Sequence, residues 1–190
     1  MRWRDLFSDL EGQAAAWEQR ERDVEVADRS RAEQGRVALV ERVSAATGRD
    51  LLVRLHGGAQ VHGTIVTVGA DWMLVERTDP VEESLVLLGA VLGIADLDRR
   101  AHSEAARGVV MSRLRVASPL RAMARDRSAV RVVLTDGSLL AGTLQLVGKD
   151  HLDLLLHDVE EAPRPEHARG RLTVPLQALA VLHRGSSRWT

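Results

Sequence analysis

The densest group of side chains able to do chemistry is Asp150, His151, Asp153, His157 and Asp158. Imidazole with carboxylate is a usable ligand set for a divalent transition metal. On a straight strand His151, Asp153 and His157 share parity and so share a face. His151 and His157 would then lie about 20 Å apart at the rise per residue of a strand, so only a bend could join them. A second copy of the surrounding sequence places Trp72, Leu74 and Thr78 at the matching positions. The residues therefore read as solvated strand positions, and no metal ligand is assigned.

Asp71 and Asp150 recur in both copies. Neither has a base or nucleophile beside it of the kind general acid–base chemistry needs. Both read as turn formers, because a short carboxylate bonds nearby backbone amides. His56-Gly57-Gly58 has the look of a hydrolase oxyanion loop, but the chain has no Gly-x-Ser-x-Gly nucleophile elbow. A phosphate-binding Gly-x-x-x-x-Gly-Lys and a dinucleotide Gly-x-Gly-x-x-Gly are also missing. With no cysteine in 190 residues, thiol catalysis, disulfides and thiolate metal sites are excluded. The expectation is a protein that is not an enzyme, takes no cofactor and has no small-molecule substrate.

Charge is distributed in blocks. Residues 1–48 carry 8 basic and 10 acidic side chains, residues 49–97 carry 3 and 7, residues 98–128 carry 8 and 3, and residues 129–184 carry 6 and 7. The one basic block holds Arg113, Arg115, Arg121, Arg125 and Arg127. A phosphate backbone could use them through counterion release, which makes nucleic acid a candidate partner. No base-stacking aromatic is near, so a solvated basic segment is the preferred reading. Lys149 is the only lysine beside 25 arginines, a bias that suggests a GC-rich, actinobacterial genome.

These residues are positioned by a repeat. Val53 to Val75 reads again, 79 residues on, as Val132 to Leu154, with 8 of 23 positions identical. A repeat of that period sets the fold before any single motif does. Each copy opens with alternating apolar residues, a strand signature. A three-residue turn follows, His56-Gly57-Gly58 or Thr135-Asp136-Gly137, whose last glycine suits a left-handed position. That turn sets Val53 opposite Val61 and Val132 opposite Leu140. Gly63 and Gly142 then fall inside the next strand, where glycine marks a bend, a bulge or a close backbone approach. Each copy closes with an apolar run, Leu85 to Ile94 and Leu172 to Leu182, now offset by 88 residues. The extra nine residues belong to the loop 157–170, which contains Pro163 and Pro165.

The order of strand, turn glycine, bent strand and short loop resembles the first sequence motif of Sm-like RNA-binding proteins. The five-residue step from Gly58 to Gly63, and from Gly137 to Gly142, matches it. The closing runs loosely resemble the second motif, with Leu88 in place of its arginine. Gly69 and Gly148 stand where the family's nucleotide-pocket aspartate would be. The resemblance implies two tandem Sm-like small β-barrels, at 49–97 and 129–184, in a mainly β protein with helices. It also implies a helix before each barrel.

Residues 1–48 are read as an amphipathic helix, charged from Glu18 onward. Trp3, Leu6, Phe7, Leu10, Ala14 and Trp17 recur at steps of three and four. The preferred reading of this face is that it covers the chain's own barrels; in the sharper one Trp3, Leu6, Phe7, Leu10 and Trp17 are candidate contacts for a protein partner or a second copy. A membrane is not expected, since acid matches base on the polar face. Residues 98–128 form a basic helical connector, with one helix start at Ser103 and a clearer one at Ser118-Pro119. Residues 185–190 are a tail. No leader-like segment or membrane-length apolar run is present, so a cytoplasmic location is expected. The sequence thus points to an interaction or scaffold protein that binds a protein partner or itself, with RNA binding through the connector as the alternative.

Overall fold

The computed structural model describes residues 37–98, 113–157 and 170–185, together with Gln19 and Gly35. The chain divides into a unit of Met1–Ala38 and a unit of Leu39–Thr190. The expected N-terminal helix face, the start at Ser103, most of the proline-containing loop and the tail beyond Gly185 lie outside the described residues.

Among the described residues, the second unit is built on ten strands: β1 Asp50–Leu55, β2 Gln60–Val68, β3 Trp72–Thr78, β4 Val81–Leu87, β5 Val91–Ile94, β6 Ala129–Leu134, β7 Leu139–Val147, β8 His151–Leu156, β9 Gly170–Pro175 and β10 Leu179–Gly185. Two helices accompany them, α1 Leu39–Ala45 and α2 Ala117–Arg125. All ten strands belong to one sheet, in the order β5-β1-β2-β3-β4-β10-β6-β7-β8-β9. Every pairing is antiparallel.

This corrects the expectation of two closed barrels separated by a helical connector. The sheet is open, ending at β5 and β9, and it is continuous through the β4–β10 pairing. The buried apolar residues of both copies also form a single core. The reason is visible in the strands at the join. Leu85, Val86 and Leu87 are all buried, as are Leu179, Ala180, Val181 and Leu182. A strand that is apolar on both faces must be covered on both. Neither copy could bury its closing run alone.

The repeat itself is carried through in detail. The strand orders β5-β1-β2-β3-β4 and β10-β6-β7-β8-β9 correspond strand for strand. Val53 lies opposite Val61 and Val132 opposite Leu140, as the three-residue turn requires. Trp72 faces Leu87 as His151 faces Pro175, and Val53 faces Ile94 as Val132 faces Leu182, so both offsets hold in the register. Each second strand also slips one residue at the same place, passing Val66 or Gln145. Gly58 and Gly137 have φ of 82° and 90°, the left-handed region where glycine avoids a Cβ penalty.

Helix α2 begins at Ala117, one residue before the expected cap, with Val116 at the cap position and Ser118 inside the helix. The helix is instead anchored through Val116, from a neighbouring turn described below.

Candidate functional site

Two structures bind the repeats together, and both bring remote segments to one place. The first is polar. Glu82 on β4 sits between Arg77 on β3, at 3.0 Å, and Arg131 on β6, which it meets in a short ion pair. Ser84 Oγ lies 2.9 Å from His183 Nδ1 on β10, and the same nitrogen is 3.7 Å from Glu82. Register explains the meeting. Ser84 pairs with His183, and His183 pairs with Arg131, in one row across β4, β10 and β6. Glu82, Ser84 and Arg131 are all buried. A buried charge persists only when paired and hydrogen-bonded. Burial pushes the His183 pKa down; Glu82 opposes that and the two arginines reinforce it. The sequence reading missed this cluster because its members come from four strands. The signal was Arg131 and His183 interrupting otherwise apolar strands.

The second is a backbone clasp. The β2–β3 turn of the first copy, Gly69-Ala70-Asp71-Trp72, receives the chain just ahead of α2. The Ala70 N–H and the Trp72 indole N–H both donate to the Leu114 carbonyl at 3.0 Å. The Val116 N–H donates to Asp71 Oδ1 at 2.8 Å. The Asp71 carboxylate thus bonds a backbone amide not within its own turn but at Val116, 45 residues away. A cavity of about 410 Å³ adjoins this clasp, lined by Asp71, Leu87, Arg115, Lys149, Asp150 and Gln177 among others.

The matching turn of the second copy, Gly148-Lys149-Asp150-His151, has the same internal geometry. Gly148 N–H donates to the His151 carbonyl at 2.9 Å, as Gly69 does to that of Trp72 at 2.9 Å. A Cβ on either glycine would run into the ring of that fourth residue. The outward face differs. Trp72 is buried and Asp71 half-buried, whereas Asp150 is exposed and His151 half-buried. Asp150 Oδ1 contacts only the His151 ring, at 2.9 Å, among the described residues.

The remaining candidates fall as follows. Asp153 accepts from Thr173 at 2.6 Å, and buried His157 lies 2.8 Å from Thr143. His151, Asp153 and His157 are therefore not brought together, because β8 ends at Leu156 and His157 turns inward. No group of three or more His, Cys, Asp or Glu among the described residues could hold a metal ion. Arg113, Arg115, Arg121, Arg125 and Arg127 are all exposed. Arg121, Arg125 and Arg127 line one shallow groove of about 640 Å³ with Gln145, Leu146 and Val147, while Arg115 lines the cavity at the clasp. Arg121 donates to the Val147 and Gly148 carbonyls, at 3.3 and 2.9 Å. Trp3, Leu6, Phe7, Leu10 and Trp17 lie outside the described residues. No described helix is long and apolar enough to cross a membrane.

The fold and its joint define a mainly β protein of duplicated, sheet-sharing halves. No protein-family model matches the chain, and no curated protein matches it either.

Proposed function

We propose that the protein is a non-enzymatic interaction module that associates with copies of itself through its open sheet edges. One observation carries this reading. β4 is paired on both sides, with β3 and β10, whereas its counterpart β9 has β8 on one side and no described strand on the other. An unpaired strand edge is a template for another strand. Five of its six residues, all but Val174, are exposed, Leu172 among them.

The internal joint supplies the register. Carrying β4–β10 onto β9 and the β5 of a second copy sets Val174 opposite Gly93 and Thr173 opposite Ile94. It brings Arg171 to Asp96, just as Arg184 faces Glu83 inside the chain. β5 has four residues against seven in β10, and Asp96 just beyond it is left-handed at φ 51°. The outer joint is therefore shorter and weaker than the inner one. Such head-to-tail contacts close into rings or run on as filaments.

The test is sedimentation of the purified chain across a concentration series. Species of increasing mass are expected. Arg171→Glu or Asp96→Arg alone should weaken association, and the two reversals together should restore it. A chain that stays monomeric at every concentration refutes the reading.

A second reading, nucleic-acid binding, is supported by the common groove rimmed by Arg121, Arg125 and Arg127. It calls for binding to mixed RNA that weakens steeply with salt and is lost in Arg125→Glu/Arg127→Glu. Binding that ignores those reversals removes it.

A further inference from the structure

We infer that the turn Gly148–His151 is a docking site for the segment around Gly35 to Val37 of a second copy of this chain. The inference rests on the self-association reading and names the contact that would accompany it.

The clasp of the first copy shows what such a turn holds. It takes a short stretch whose carbonyl accepts from a backbone N–H and a ring N–H, and whose N–H two residues later meets the aspartate. The second turn offers the same three groups in the same order: the Lys149 N–H, the His151 ring and the Asp150 carboxylate. The Lys149 N–H has no partner among the described residues.

The sequence supplies a matching occupant. The clasped stretch continues as Arg115-Val116-Ala117, and 79 residues earlier the chain reads Arg36-Val37-Ala38. That offset is the one relating the two turns, and it relates α1 to α2. The atoms used in the clasp, the Leu114 carbonyl and the Val116 N–H, correspond to the Gly35 carbonyl and the Val37 N–H. Inside the chain, the stretch ahead of the second copy docks on the turn of the first. The stretch ahead of the first copy has its equivalent target on the second copy of the preceding molecule, which is the head-to-tail order of the β9 edge. On docking, Asp150 exchanges the His151 ring for the Val37 N–H, and the freed ring donates to the Gly35 carbonyl. All bonds involved are ordinary hydrogen bonds.

The test uses the full chain with Asp150→Ala and Val37→Pro, the first removing the acceptor and the second the donor. Each should raise the dissociation constant by about tenfold, the scale of one intermolecular hydrogen bond whose partner is left unmet. The double variant should be no worse than either single one, since both remove the same bond. Thermal melts check that each variant folds. Association unchanged within twofold in both overturns the docking while leaving the sheet-edge reading intact. Association sensitive to Asp150→Ala but indifferent to the Arg171 and Asp96 reversals does the opposite. If the wild-type chain is monomeric throughout, a synthetic peptide of residues 33–46 is titrated onto it. Saturable binding that Asp150→Ala abolishes sustains the docking, and absence of binding at millimolar peptide ends it.

Discussion

Arg131 of the second copy grips Glu82 of the first across the strand that separates β6 from β4, and both side chains are buried. Arg77 reaches the other carboxylate oxygen from β3. Glu82 therefore ties β3 and β4 of the first copy to β6 of the second through a single acidic group. Removing one partner of a buried ion pair leaves an uncompensated charge, which costs about 3–5 kcal/mol. Glu82→Ala is expected to fall in that range by urea denaturation. Glu82→Leu combined with Arg131→Met should recover most of the loss, because apolar residues of similar volume avoid the desolvation cost. A single Glu82→Ala loss below about 1 kcal/mol would mean that water solvates Arg131 once its partner is gone.

His183 adds a pH dependence to the same row. Its pKa is lowered in the folded protein, burial being the main cause and Glu82 the opposing influence. Arg131, Arg77 and Ser84 also face it. A lowered pKa means that the unfolded chain binds the proton more readily than the folded one. Stability is then full above the ordinary histidine value, about 6.5, and falls as pH drops through it toward the folded value. Denaturation midpoints measured between pH 8 and pH 5 should decline below about pH 6.5 in the wild-type chain. His183→Gln should flatten that decline. A slope unchanged by the substitution would assign the effect to other groups.

The clasp on the first turn makes a local prediction. The Val116 N–H is buried with its residue and bonds only the Asp71 carboxylate among the described residues. Asp71→Ala leaves it without an acceptor, at a cost of about 1–3 kcal/mol. Amide hydrogen exchange at Val116 and Ala70 should accelerate more than exchange in β6. Trp72→Phe, which keeps a ring over Gly69 but loses the indole N–H bond to Leu114, should produce a smaller change at the same amides.

What could be read in advance follows the range of the interactions. The register of β1–β2 and β6–β7 was legible, because three turn residues and a left-handed glycine fix it locally. The pairing of β4 with β10 was not. It joins residues about 95 apart in the chain, such as Val86 and Val181, and no local pattern distinguishes a strand that closes on its own copy from one that extends into the other. The clue was the continuous apolar run at Leu85 to Leu87, whose second face a strand closing on its own copy would leave uncovered. Asp71 was legible as a turn residue, yet its partner was not, since the bond reaches across to Val116. The Glu82–Arg131 pair was invisible for the same reason. The identical Arg-Val-Ala triplets at 36–38 and 115–117 were in plain view and extend the repeat upstream of both helices.

The glycines inside β2 and β7 give the sharpest contrast between equivalent positions and an unconstrained one. A Cβ on Gly63 would be driven into the Glu76 carbonyl oxygen of the paired strand, and one on Gly142 into that of Leu155. These are backbone atoms held by a ladder on both sides, so they cannot swing away as a side-chain tip could. Overpacking ordinarily costs about 1–3 kcal/mol, and a rigid neighbour puts the cost at or above the top of that range. Gly63→Ala and Gly142→Ala should each therefore destabilise the chain by about 3 kcal/mol or more, and by similar amounts, because the two sites are related by the repeat. Gly89 offers the control. A Cβ there meets nothing within 4 Å, so Gly89→Ala should stay within about 0.5 kcal/mol of wild type, as surface changes usually do. Urea titrations of the three variants decide the matter. Equal small losses at all three would mean that the strands do not approach as closely as the shared register requires. A large loss at Gly63 with none at Gly142 would mean that only the first copy is tightly closed at this point.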